Sequence, residues 1–76
     1  MIENINKKGN DFDTAYKIYK PEQIVRILEK EKKDGQITDF EWLKRNDEFY
    51  EVFVIKYKNG ESKKIYFNVT DLLNLY

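Results

Sequence analysis

The chain has 76 residues, with 14 Lys+Arg against 14 Asp+Glu and neither cysteine nor histidine. That length suits one small domain with a thin stability margin, because so short a chain buries only about 60% of the surface it exposes when unfolded. The missing residue types rule out disulfides, a Cys/His zinc site, thiol chemistry and a histidine general base, and zero net charge argues against both a strongly basic nucleic-acid binder and an acidic DNA mimic.

Residues 1–10 are polar and read as a flexible leader ahead of a single domain over 11–76. They lack the long apolar core of a signal peptide, and no apolar run approaches the ~18 residues of a membrane span. With cysteine absent as well, the expectation is a soluble cytoplasmic protein that does not engage a membrane.

Residues 12–19, FDTAYKIY, set Tyr16 and Ile18 in alternation with Ala15, Lys17 and Tyr19. This fits a strand, although Asp13 or Thr14 could instead begin a helical turn. Lys20 ends the segment, because the residue before a proline is pushed out of the α region.

Residues 21–34, PEQIVRILEKEKKD, read as the main helix. Pro21 suits the first helical position, where its missing N–H costs nothing. Glu22 in the first turn and Lys30, Lys32 and Lys33 in the last complement the helix dipole. Glu22 with Arg26 and Glu29 with Lys33 are i,i+4 pairs, each contributing about 0.2–0.5 kcal/mol. Ile24, Ile27 and Leu28 form one apolar stripe flanked by Val25. Gly35 is expected at the helix C′ position.

Strands are expected over 37–44, 49–58 and 61–69 as an antiparallel meander, and a short helix over 70–75 with Thr70 as N-cap. The architecture is therefore a small α+β domain: a three- to four-stranded antiparallel sheet, one main helix on one face, and a short C-terminal helix. Asn59 and Gly60 read as a two-residue type I′ turn, which needs φ > 0 at both positions. That loop would pair Val54 with Ile65, Val52 with Phe67 and Tyr50 with Val69 as the core face. Phe53 with Tyr66, Ile55 with Lys64, and Tyr57 would then share the other face.

A one-residue slip in register moves every side chain to the opposite face. For the turn around residues 45–48 an odd-length loop is preferred, because it takes Asp39 and Glu41 off the core face. A loop of Asn46 and Asp47 alone would instead put Phe40 and Trp42 beside Phe53 and Ile55. In either register the second hairpin face is apolar. It needs cover from the 12–19 segment and the terminal leucines, or from another molecule.

No spacing points to catalysis. The carboxylates are scattered among lysines rather than paired, and Asp11 with Asp13 is too sparse for a calcium loop. Glycines occur only at 9, 35 and 60, and none sits in a phosphate-binding fingerprint. No metal or cofactor is expected. Lys56, Lys58, Lys63 and Lys64 surround the hairpin tip with Tyr57 and Tyr66 interleaved, a pattern that can track phosphates while aromatic rings stack on bases. The same lysines also protect a strand edge from aggregation.

Residues 21–28, PEQIVRIL, followed by Gly35, resemble the first helix of helix-turn-helix domains in some insertion-element transposases. That family's pattern continues with a second helix and a recognition helix, whereas residues 37–61 here read as strands. The DNA-reading element is missing, and its function does not carry over.

The leading expectation is a non-enzymatic protein-binding module, a small regulator or inhibitor. Heavy use of Lys, Asn, Ile, Tyr and Glu, whose codons are A+T-rich, suits a phage or mobile element, and an inhibitor of a host defence enzyme is one concrete version. Trp42, Phe53, Ile55, Tyr57 and Tyr66 are the candidate partner-binding residues. A nucleic-acid module using the four lysines is the alternative, and a homodimer of regulatory or structural purpose the third.

Overall fold

The computed structural model describes residues 9–73. Residues 1–8 of the expected 1–10 leader and residues 74–75 of the expected 70–75 helix lie outside them. The elements are β1 (Tyr16–Lys17), α1 (Pro21–Lys32), β2 (Gln36–Arg45), β3 (Glu48–Lys56), β4 (Ser62–Asn68) and α2 (Thr70–Leu73). They form the expected small α+β domain. The sheet has four strands in the order β1-β4-β3-β2. The meander β2-β3-β4 is antiparallel, and β1 adds to β4 in parallel, so the sheet is mixed.

Both hairpin loops differ by one residue from the preferred reading. Asn46 and Asp47 form the two-residue loop, with φ of 55° and 63°. Two consecutive left-handed residues make the primed turn that matches strand twist. Asn and Asp tolerate that region because their short polar side chains bond locally. The second loop instead holds Lys58, Asn59 and Gly60. Gly60 N–H donates to Tyr57 O at 3.0 Å, Tyr57 N–H donates to Glu61 O at 2.8 Å, and only Gly60 is left-handed, at φ 94°. This is a type I turn closed by a glycine bulge, the favoured three-residue hairpin loop.

The register follows. Phe53 pairs with Ile65, Ile55 with Lys63 and Glu51 with Phe67 on one face. Tyr50 pairs with Asn68, Val52 with Tyr66 and Val54 with Lys64 on the other. The expected pairs Val54–Ile65, Val52–Phe67 and Tyr50–Val69 do not form. The face carrying Phe53 and Ile55 is the main core, and Tyr66 lies on the opposite side.

α1 covers the main face. Leu28 is buried with Ile18, Ile55, Ile65, Phe67 and Val69, while Ile24 and Ile27 pack at the margin. Each such burial contributes roughly 1.5–3 kcal/mol. The helix starts at Pro21 as expected, and Gln23 Oε1 accepts from the N–H groups of Tyr19 and Lys20 at 2.6 and 3.0 Å. It ends two residues early, where Lys33 takes φ 49°. Gly35 is therefore not the left-handed cap. Its role is close approach: a Cβ there would lie 2.8 Å from Lys56 O, Ile55 Cγ2 and Tyr57 Cδ1.

The other face is covered in part by residues 9–14. Phe12 packs edge-on against Tyr50 and Tyr66, each at 4.9 Å, and the Arg45 guanidinium stacks on Phe12 at 4.7 Å. The expected long strand over 12–19 shrinks to two residues. Asp11 and Thr14 bond each other instead: Thr14 N–H and Oγ1–H both donate to Asp11 Oδ1, at 2.9 and 2.8 Å. Such local bonding competes with a ladder. Gly9, placed in the leader from sequence, is buried, and its carbonyl accepts from Tyr66 N–H at 2.8 Å. Thr70 is not the N-cap of α2. Its Oγ1 accepts from Phe49 N–H at 2.9 Å, and Asn68 Oδ1 accepts from Thr70 N–H at 3.1 Å.

Two substitutions test this account by urea denaturation. Gly35→Ala is expected to destabilise by about 1–3 kcal/mol, because the added methyl meets the β3 backbone. Asp47→Gly is expected to stabilise by up to about 1 kcal/mol, because it relieves a left-handed non-glycine. An unchanged midpoint for either variant contradicts the assignment at that position.

Candidate functional site

Aromatic side chains run from the core to one edge of the sheet. Phe67, fully buried, meets Phe53 edge-on at 5.5 Å. Phe53 meets Phe40 at 4.9 Å, and Phe40 meets Trp42 edge-on at 6.3 Å. Phe53 is half-buried, but Phe40 is 42% and Trp42 53% exposed. Ile37, on the same strand, is also exposed. α1 shields β4 and β3, leaving β2 as an open edge on the main face.

The two-residue turn brings these groups together. Because Asn46 and Asp47 alone close the β2-β3 hairpin, Trp42 pairs with Glu51 and Phe40 with Phe53. Both rings therefore lie on the face of Phe53, where an odd-length loop would have put them on the other side. A register irregularity between Ile37 and Asp39 interrupts the strand near its start. Bulges of this kind blunt an edge.

Glu51 lies in this frame, between Trp42 on β2 and Phe67 on β4. Burial pushes its carboxyl above the usual glutamate range. Ionised Glu51 is thus a destabilising group within the aromatic patch.

The other expected partner-binding residues fall elsewhere. Ile55 is 0% exposed and belongs to the core. Tyr57 is half-buried, and its hydroxyl donates to Glu31 O at 2.9 Å, tying the hairpin tip to α1. Tyr66 is on the opposite face beneath Phe12. Of the five, Trp42 and Phe53 share the exposed patch. Phe40 was missed. The signal was its i,i+2 spacing from Trp42, which places both on one strand face.

The four lysines are also divided. Lys63 Nζ donates to Glu31 Oε1 at 2.8 Å on the main face. That bond holds the Glu31 carboxyl below its usual range and the Lys63 ammonium above its own. Tyr16 O–H donates to Glu31 Oε2 at 3.3 Å in the same cluster. Lys64 and Lys56 lie on the other face and Lys58 in the loop, beside Glu61. Lys56, Lys58 and Tyr57, with Asp34, Gln36 and Thr38, line a shallow recess of about 310 Å³.

Among the described residues, no group of three or more Asp or Glu is placed to hold a metal ion. No helix there is long and apolar enough to cross a membrane. No family model, curated protein or solved structure matches the chain.

Glu51 provides a pH test. A carboxyl raised in the folded state binds more protons there than when unfolded, so it lowers stability as pH rises through its titration. Glu51→Gln removes that loss. The variant is expected to melt about 1–3 °C higher at pH 7 and to lose that advantage below about pH 4, where both forms are neutral. A variant less stable at pH 7 would contradict the desolvated environment.

Proposed function

We propose that the chain is a non-enzymatic protein-binding module, a small cytoplasmic regulator or inhibitor that docks a partner on the β2 edge. The observation that carries this reading is the exposed pair Phe40 and Trp42, continuous with the core through Phe53. Contiguous exposed aromatic surface marks interaction sites, and tryptophan is enriched among the residues that dominate binding energy. The rings sit on a strand anchored by its neighbour, so little ordering entropy is lost on docking. Glu51 beside Trp42 favours a partner that brings a cation to the rim of the patch. A phage or mobile-element inhibitor of a host enzyme remains the concrete version that composition suits.

A pull-down from native-host lysate after nuclease treatment, read by mass spectrometry, tests the reading. One protein retained in stoichiometric amount by the wild type is expected to be lost with Phe40→Ala or Trp42→Ala and kept with Tyr66→Ala. Truncating a central aromatic anchor typically costs about 2–4 kcal/mol of binding, enough to empty the resin. Capture indifferent to Phe40 and Trp42 rejects this surface. Capture abolished by nuclease directs attention to Lys56, Lys58 and Lys64.

A further inference from the structure

The β2 edge has a backbone as well as a face. In a hairpin closed by a two-residue primed turn, the residues flanking the turn form a hydrogen-bonded pair, and pairs then alternate. Arg45 pairs with Glu48, so Leu43 and Glu41 also bond toward β3, while Lys44, Trp42 and Phe40 direct their N–H and C=O groups outward. Phe40 confirms the alternation: its N–H donates to its neighbour Asp39 Oδ1 at 2.8 Å, not to β3. Asp39 and the irregularity beside it close the first half of the edge. Among the described residues, nothing pairs with the outward backbone groups of Trp42 and Lys44.

We propose that this open half-edge, residues 41–45, pairs antiparallel with the same segment of a second copy of the chain, with Leu43 at the two-fold axis. The proposal rests on reading the Trp42 edge as a protein-binding surface, and names its partner. Charge complementarity selects both the occupant and the register. With Leu43 opposite Leu43 of the second copy, Glu41 faces Arg45 and Trp42 faces Lys44, each twice by symmetry. The Glu41–Arg45 pairs fall at non-hydrogen-bonded positions, where opposing side chains are closest and opposite charges are favourable. Both side chains are exposed. The Arg45 guanidinium carbon lies 4.7 Å from the Phe12 ring centroid, a contact that restrains the side chain on that face, and a guanidinium's planar fork suits a carboxylate. The Trp42–Lys44 pairs fall at hydrogen-bonded positions and exchange both backbone bonds, using only groups that are open in the single chain.

Other symmetric registers are worse. Centring on Glu41 or on Lys44 sets like charges face to face. Centring on Trp42 opposes Phe40 to Lys44, and that pairing needs the Phe40 N–H already held by Asp39. Centring on Phe40 meets the same obstruction and sets Asp39 against Glu41. In the Leu43 register, two four-stranded sheets become one continuous sheet. Lys44 of the second copy, whose ammonium lies 5.5 Å from its own Phe49 ring centroid, then stands directly opposite Trp42.

Equilibrium sedimentation of the full chain from about 1 µM to about 1 mM reads the mass. Trp42 is the sole tryptophan, so its emission reports the same interface directly. The expected result is a concentration-dependent dimer with blue-shifted emission. Glu41→Arg or Arg45→Glu alone is expected to weaken it at least about tenfold. The double swap, E41R with R45E, is expected to restore it, because the pairs are then reversed but still opposite. Lys44→Pro removes an outward donor without touching the β3 ladder, and is expected to give a folded monomer by circular dichroism. A wild-type monomer throughout the range overturns the proposal, as does a dimer insensitive to both single reversals. If the chain is monomeric but Trp42→Ala still abolishes capture of another protein, the second copy is the wrong occupant and the binding surface stands. If neither occurs, both fall.

Discussion

The face on which each side chain of the β2-β3-β4 meander lies follows from the backbone conformation of three turn residues. Asn46 and Asp47 are both left-handed, so the β2-β3 loop holds two residues; Gly60 alone is left-handed in its loop, so that loop holds three. Because strand side chains alternate with period two, a change of one residue in either loop would exchange the core face and the outer face. The burial of Ile55, Ile65 and Phe67 under α1, and the position of Phe12 over Tyr50 and Tyr66, follow from that choice. So does the appearance of Phe40 and Trp42 beside Phe53 at the open edge.

A small domain with a two-faced hairpin must cover both faces with little chain. Here α1 takes one face and residues 9–14 part of the other. Gly35 lets the chain leave the helix in contact with β3, where any side chain would strike the Lys56 carbonyl. Glu31 joins Tyr16, Tyr57 and Lys63 at the same end of the helix, fixing it over the sheet. The cover runs out at β2. That strand is long and exposed along most of its length, and the chain carries no further described element to lay against it. Its first half is blunted by Asp39 and a register irregularity, whereas its second half is open. A strand protected over half its length, with Trp42 and Leu43 flanked by Glu41, Lys44 and Arg45 in the rest, is better suited to selective pairing than to indiscriminate aggregation.

Local signals in the residues were reliable where one physical cause dominated. Pro21 at the first helical turn and the Ile24, Ile27, Leu28 stripe located the start of α1 at its residue and its end within two. Alternation of apolar residues identified β2, β3 and β4. The pair Asn59 and Gly60 marks a turn but not its length, because Asn-Gly suits both the two-residue primed turn and the last two positions of a type I turn with a glycine bulge. Tyr16 and Ile18 marked a strand, yet Asp11 and Thr14 had a local alternative that shortened it.

The sequence by itself determined the class of the domain, the order of its elements, the exclusion of cysteine and histidine chemistry, and the aromatic content of the meander. These depend on composition, periodicity and propensity within short windows. Only the tertiary structure decided which aromatics are buried and which are exposed. It separated Ile55 and Tyr66 from Trp42, bound Lys63 to Glu31 away from the other lysines, and brought Phe40 into the exposed patch. The physical reason is that residue types leave two loop lengths open at each turn, with opposite consequences for every side chain. The choice falls to packing across the whole sheet, where burying Phe67, Ile65 and Ile55 together outweighs the local preference for an Asn-Gly primed turn.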